Sequence, residues 1–125
     1  MAIPNWKLHH MVESAGAVVV CEESCTATRA FRDLTPETDG TVEEQLKAVA
    51  DRYMQIHCAC FTPNDERLDD IVRLAKEYRA DGVIHCNLQF CHTYANEAVK
   101  VEKALSEAGI PLLRVETDYG SEDEG

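Results

Sequence analysis

The chain has 125 residues, 23 of them acidic and 12 basic, for a formal net charge of −11. This is the size of one domain that can bury its own core, and it has no basic stripe to follow a phosphate backbone, so nucleic acid is excluded as a partner class. The longest apolar runs, such as Ala15 to Cys21, fall far short of the ~20 residues that span a membrane.

The elements alternate short β-branched runs with helical stretches, the pattern of βαβ units on a parallel sheet. A first helix is expected over about Asn5 to Glu13, with Pro4 near its start and Gly16 past its end. The first strand is Ala17 to Cys21. The polar stretch that follows, Glu22 to Gly40, is longer than the two to six residues of an ordinary βα connection, which marks it as functional. A second helix runs from Val42 to Met54, with Thr41 and Glu44 spaced as a capping box and Val42, Leu46, Val49 and Ala50 on one face. A short strand, Gln55 to Ala59, follows.

The third helix spans Asp65 to Tyr78, with Leu68, Ile71, Val72 and Ala75 facing inward. The third strand is Gly82 to Cys86. The fourth helix, Thr93 to Ala108, carries Ala98, Val101 and Leu105 on one face and stops at Gly109, and the fourth strand is Pro111 to Glu116. No internal repeat or linker interrupts this order. The fold class expected is α/β, a single Rossmann-like (flavodoxin-like) domain with a four-stranded parallel sheet flanked by helices. It occupies residues 1–116, and residues 117–125 form an acidic tail of which Ser121 to Gly125 offers nothing to a core.

Six cysteines fall short of the roughly 8–10% that marks a small disulfide scaffold, and no signal-peptide pattern opens the chain. A reduced, cytoplasmic protein is the expectation. On the predicted scheme Cys21, Cys58 and Cys86 end strands, and Cys25, Cys60 and Cys91 lie just beyond strand ends. In an open parallel sheet all strand carboxyl ends share one edge, where ligands bind. A cysteine ending a buried strand is an ordinary small core residue. The outer three sit in polar turns with no packing reason to be thiols, so they are the stronger candidates for chemistry.

Converging thiolates suit an iron–sulfur cluster or zinc. The spacings Cys-x3-Cys, Cys-x-Cys and Cys-x4-Cys in separate loops match no common zinc finger, although His57, His85 or His92 could supply a fourth donor. A nucleophilic Cys91 at a helix N-terminus is a further reading. A disulfide between Cys86 and Cys91 is the least favoured. Glu22 and Glu23 could relay a proton at the same edge, against the blander reading of a solvated loop pair. Glu116, Asp118 and Tyr119 face that edge too, with turn formation as their simplest role.

The segments "VVVCEESCTATRAF", "IHCACFTPNDER", "DGVIHCNLQFCHTYANE" and "GIPLLRVETDYGSED" together resemble the C-terminal part of the 2-hydroxyacyl-CoA dehydratase and benzoyl-CoA reductase superfamily, most closely its double-cubane-cluster reductase branch. The likeness covers nearly the whole chain. It implies an oxygen-sensitive protein whose iron–sulfur cluster, [4Fe-4S] or double-cubane, sits between two Rossmann-like domains of one subunit. The "QFC" motif implies Cys91 as a ligand; "CEESCT" and "CAC" imply Cys25 and Cys60, with Cys21 and Cys58 less favoured. Asn87 and Gln89 would donate hydrogen bonds to cluster sulfides and so tune the potential.

The resemblance also implies partners: the missing N-terminal domain of the same subunit, an ATP-hydrolysing iron–sulfur activator protein that delivers low-potential electrons, and a dimeric parent. In the dehydratases one electron starts a ketyl-radical elimination of water from a 2-hydroxyacyl-CoA; the double-cubane branch reduces small molecules. Family members are longer, so the chain reads as a domain excised from a two-domain subunit, inactive alone. Ala27 stands where the resemblance leads one to expect glycine. A zinc-binding module without enzymatic activity is the competing class, and a flavodoxin-like domain with structural cysteines is the third.

Overall fold

The computed structural model describes residues 6–24 and 28–120. Pro4 and Asn5, Cys25, Ala27 and the tail from Ser121 to Gly125 lie outside the described residues. The chain forms helix α1 (Lys7–Ser14), a 3-10 turn (Thr28–Ala30), α2 (Val42–Met54), α3 (Asp65–Glu77), strand β1 (Val83–Leu88), α4 (His92–Glu107) and β2 (Leu112–Thr117). Where helices occur, the sequence places them to within about two residues. The architecture is mixed α/β.

Three of the helices close in the same way. At the end of α4 the Ile110 N–H donates to the Leu105 carbonyl at 2.9 Å and the Gly109 N–H to the Ser106 carbonyl at 3.1 Å, a Schellman cap that requires the left-handed backbone of Gly109. Gly16 serves α1 identically, its N–H and that of Ala17 donating to Glu13 and Val12. At α3 the same cap is made by Arg79, a residue with a Cβ held at φ 52°. The start of α2 is secured by the capping box between Thr41 and Glu44, both halves of which are present.

β1 and β2 pair in parallel, Val83 opposite Leu112 through Leu88 opposite Thr117, with α4 as the crossover between them. Val83, His85 and Asn87 share one face of β1, and on that face His85 and Asn87 are buried. Val83 and Leu112 pack with Leu68, Val72 and Ile110 around the core of Ile71, Val101 and Leu105. Because α3 and α4 carry that core, they cover this face of the sheet and fix where the carboxyl ends of the strands lie.

Two expected strands are absent from the sheet, which has two strands among the described residues. Ala17 to Cys21 is irregular; Val18 and Val20 are exposed, and the segment shares with β1 a cleft of about 1040 Å³ instead of a ladder. Gln55 to Ala59 turns where a strand was expected. Three of its amides are spent locally, Gln55 N–H to Arg52, Ile56 N–H to Tyr53 and Cys58 N–H to Ile56, which curls the segment away from a ladder. The apolar face expected of α2 is also not inward: Val42, Leu46 and Val49 are exposed, as is Ala50, since no described element packs against them. Cys86 lies inside β1 opposite Val115, not at its end. No described helix is long and apolar enough to cross a membrane.

Candidate metal and cofactor site

β1 ends at Leu88, and the chain turns sharply before α4. Gln89 donates its N–H to the Thr117 carbonyl at 2.8 Å and Cys91 its N–H to Leu88 at 2.9 Å. Between them Phe90 takes a left-handed φ of 67° with 87% of its surface exposed. A bulky residue held at positive φ and left in water is uncommon and clusters at functional sites. Its effect is to deliver Cys91 to the N-cap of α4. The Cys91 thiol is half-buried and free, and Thr93 Oγ1 lies 3.7 Å from its sulfur.

Cys21, Cys86 and Cys91 line the one cleft between the Gly16–Ser24 segment and β1. Burial, partly opposed by Thr28, pushes the Cys21 thiol above its usual value. Burial also raises Cys86, against the nearby positive charge of Lys7; both are therefore protonated at neutral pH. Cys58 is half-buried and Cys60 exposed, in the turn between α2 and α3, and all five described cysteines are free. Asn87 is buried, its amide reaching Glu116 at 3.4 Å while its Oδ1 has no partner. Gln89 is exposed.

What binds these segments together is a buried ionic network. Arg67, 2% exposed, donates from Nη2 to Glu23 Oε2 at 2.8 Å and from Nη1 to Glu97 Oε2, and its guanidinium lies over the Tyr94 ring, 4.9 Å from the centroid. Glu23 Oε1 accepts from Arg29 at 2.6 Å, and Arg29 also donates to the His57 carbonyl at 3.1 Å. Asn64, at the N-cap of α3, does not cap its own helix; it donates to Glu97 Oε1 at 2.8 Å and to the Cys58 carbonyl at 2.8 Å. Two arginines and two glutamates neutralise one another, the condition under which charges tolerate burial.

A second group stands behind the Cys58 turn. Asp70 accepts from His57 Nδ1 at 2.8 Å, from Arg32 at 2.8 Å and from Arg73 at 3.0 Å. Burial opposes ionisation, but these donors together hold the Asp70 carboxyl below the usual carboxylate range. On the covered face of β1, burial lowers His85, with Arg67 and Arg114 adding to the effect, so its ring is neutral at pH 7; its Nε2 has no partner. Glu22 pairs with His9.

Free thiols on several turns are donors of the right softness for an iron–sulfur cluster or zinc. Among the described residues no three His, Cys, Asp or Glu side chains stand together as a metal site. The donors here therefore fit such a group as contributors from several loops, and do not form a closed site by themselves. Arg29, Asn64, Arg67 and Glu97 fall within the segments that carry the resemblance, but no spacing among them announces a shared network, and Glu23 is half-buried and paired.

The whole chain, residues 1–125, matches the family described as 2-hydroxyglutaryl-CoA dehydratase, D-component. The chain belongs to that family. It is 37% identical over 120 residues to YjiM of Escherichia coli (strain K12), provisionally named a dehydratase subunit, covering 95% of this chain and 30% of that protein. It is 29% identical over 109 residues to the (R)-phenyllactyl-CoA dehydratase beta subunit of Clostridium sporogenes, covering 86% of this chain and 28% of that one. The chain thus spans less than a third of the length of these relatives.

Proposed function

We propose that the chain is the cluster-binding domain, residues 1–116, of a longer two-domain subunit: an oxygen-sensitive, ATP-activated reductase that holds a double-cubane or [4Fe-4S] cluster at low potential. Cys91, Cys60 and Cys25 are its metal ligands on this side, with Cys21, Cys58 and Cys86 as the alternatives within each motif. The cluster supplies low-potential electrons when bound. The chain's own part is to present thiolates from three turns and to keep Asn87 and Gln89 beside them. The partners are the N-terminal domain of the subunit, a second subunit, and an ATP-hydrolysing iron–sulfur activator.

The observation that supports this reading best is the buried network, which joins the Glu23 segment, the Cys58 turn and the start of α4 behind Cys91. Core-filling cysteines have no use for loops held in mutual register. Anaerobic purification of the full-length protein should return iron and acid-labile sulfide, with broad absorption near ~400 nm from thiolate-to-iron charge transfer. Stoichiometric zinc that resists exchange would establish the zinc module in its place.

A second reading, elimination of water from a 2-hydroxyacyl-CoA, is favoured by the description of the family and the name of the Clostridium sporogenes relative. The two part on one assay. With activator and ATP, a dehydratase converts a 2-hydroxyacyl-CoA to the enoyl-CoA without net consumption of electrons, whereas a reductase consumes electrons in proportion to its product.

A further inference from the structure

A fully buried arginine between two carboxylates is an expensive way to fill space, because desolvating the ions offsets most of their attraction, and apolar side chains of the same volume often stabilise as well or better. Arg67 is held this way by Glu23 and Glu97. Its partners are not drawn from one element. Glu23 belongs to the segment between Cys21 and Cys25; Glu97 and Tyr94 lie in the first two turns of α4, directly behind Cys91. The third cysteine turn is reached through the same hub, since Glu97 holds Asn64, which holds the Cys58 carbonyl, and Glu23 holds Arg29, which holds the His57 carbonyl. Among the described residues, every cysteine-bearing turn is therefore within two hydrogen-bonding side chains of one guanidinium.

We propose that Arg67 is a positioning residue that sets the mutual register of the Cys21–Ser24 segment and the Cys58–Cys60 and Cys91 turns, through a charge-balanced network with Glu23, Glu97, Arg29 and Asn64. The planar guanidinium fork fixes two carboxylates in direction as well as distance. A lysine keeps the charge but has one nitrogen with which to face both. The proposal rests on the cluster-binding reading for the purpose of the register, and on geometry alone for its existence.

The test uses the full-length protein, purified anaerobically, with amide hydrogen exchange followed in peptides covering residues 18–24, 56–61 and 88–95 beside iron analysis and the electron paramagnetic resonance spectrum. Arg67→Met is expected to accelerate exchange at least tenfold in all three turns, while β2 and the second half of α4 keep their protection. Bound iron should fall by more than half and the spectrum should broaden. Arg67→Lys should recover part of the protection.

Because Arg67→Met takes the cation from Glu97 and one of two from Glu23 and could fail to fold, a quadruple variant, Glu23→Leu and Glu97→Leu with Arg29→Met and Arg67→Met, removes all four charges together. It should retain global protection and still show fast exchange in the three turns. Unchanged exchange in the turns, acceleration confined to one of them, or a uniform rise that includes β2 would overturn the proposal. So would a quadruple variant with fully protected turns and normal iron. If the unmodified protein carries no iron, the cluster reading fails while the exchange comparison still decides the positioning role.

Discussion

In the stretch from Asn64 to Thr117, apolar side chains at helical spacing turn inward; Ile71, Leu74, Ala75, Ala98, Val101 and Leu105 are all buried. In the stretch from Lys7 to Met54 residues of the same kind at the same spacing stand in water: Met11, Val42, Leu46 and Val49 are exposed, and neither α1 nor α2 has a buried residue. Both regions have helices closed by the same C-terminal cap, and the one side-chain N-cap among the described helices belongs to the exposed region, so the difference does not lie in local structure. It lies in what each apolar face meets. α3 and α4 meet the sheet and each other; α2 has capping and periodicity but no described element packed on its apolar side, and α1 turns Leu8 and Val12 only to the open cleft beside β1. Periodicity predicts that a face wants a partner, and only tertiary contact decides whether it has one.

That contrast can be probed by substitution. Glu97→Ala would leave Arg67 buried with one carboxylate instead of two, and should cost ~3–5 kcal/mol in denaturant unfolding. Leu105, with no exposed surface, should cost ~2–5 kcal/mol as Leu105→Ala through lost burial and the cavity left behind. Thr41→Ala removes one arm of the capping box and should cost about 1 kcal/mol, seen as fraying of α2 by circular dichroism. Leu46→Ala, at an exposed site on the same helix, should stay within about 0.5 kcal/mol. Equal losses for Leu105→Ala and Leu46→Ala would break the comparison.

The pH dependence sharpens it. The folded-state carboxyl of Asp70 is held below the usual range, so the stability it contributes is fully present above the ordinary aspartate value and is lost as pH falls through the lowered one. Asp70→Asn should flatten the acid limb of the stability profile between those two values. Thiol labelling gives the smallest signal. Cys60, exposed, should react with an alkylating agent before Cys21 and Cys86, whose burial keeps them protonated, by on the order of tenfold in rate.

How far the molecule could be read from sequence follows from the range of each interaction. The Thr41 and Glu44 capping box, the glycine stops at Gly16 and Gly109, and the inward stripes of α3 and α4 depend on residues within one or two turns, and all were legible. The cap at Arg79 carries no glycine to announce it. Ala17 to Cys21 has the composition of a strand, but a strand exists only when a neighbour accepts its amides, and composition does not say whether one will.

The ionic network was illegible to motif spacing because Glu23 and Glu97 lie 44 and 30 positions from Arg67. A usable signal was nevertheless present. Asn64, Arg67, Ile71 and Leu74 fall on one helical stripe, as do Glu97, Val101 and Leu105, and a charge placed on an inward stripe calls for a buried partner of opposite sign. Of the candidate site, the placement of Cys91 at a helix start just past a strand was legible from sequence; the charge network behind it required the fold.

The central claim is that the cysteine turns of this domain hold an iron–sulfur cluster. It is tested most directly by iron-edge anomalous diffraction from crystals of the full-length protein grown without oxygen. The account predicts iron bonded to the Cys91 sulfur, beside the carboxyl end of β1. Iron absent there, or zinc in its place, would contradict it.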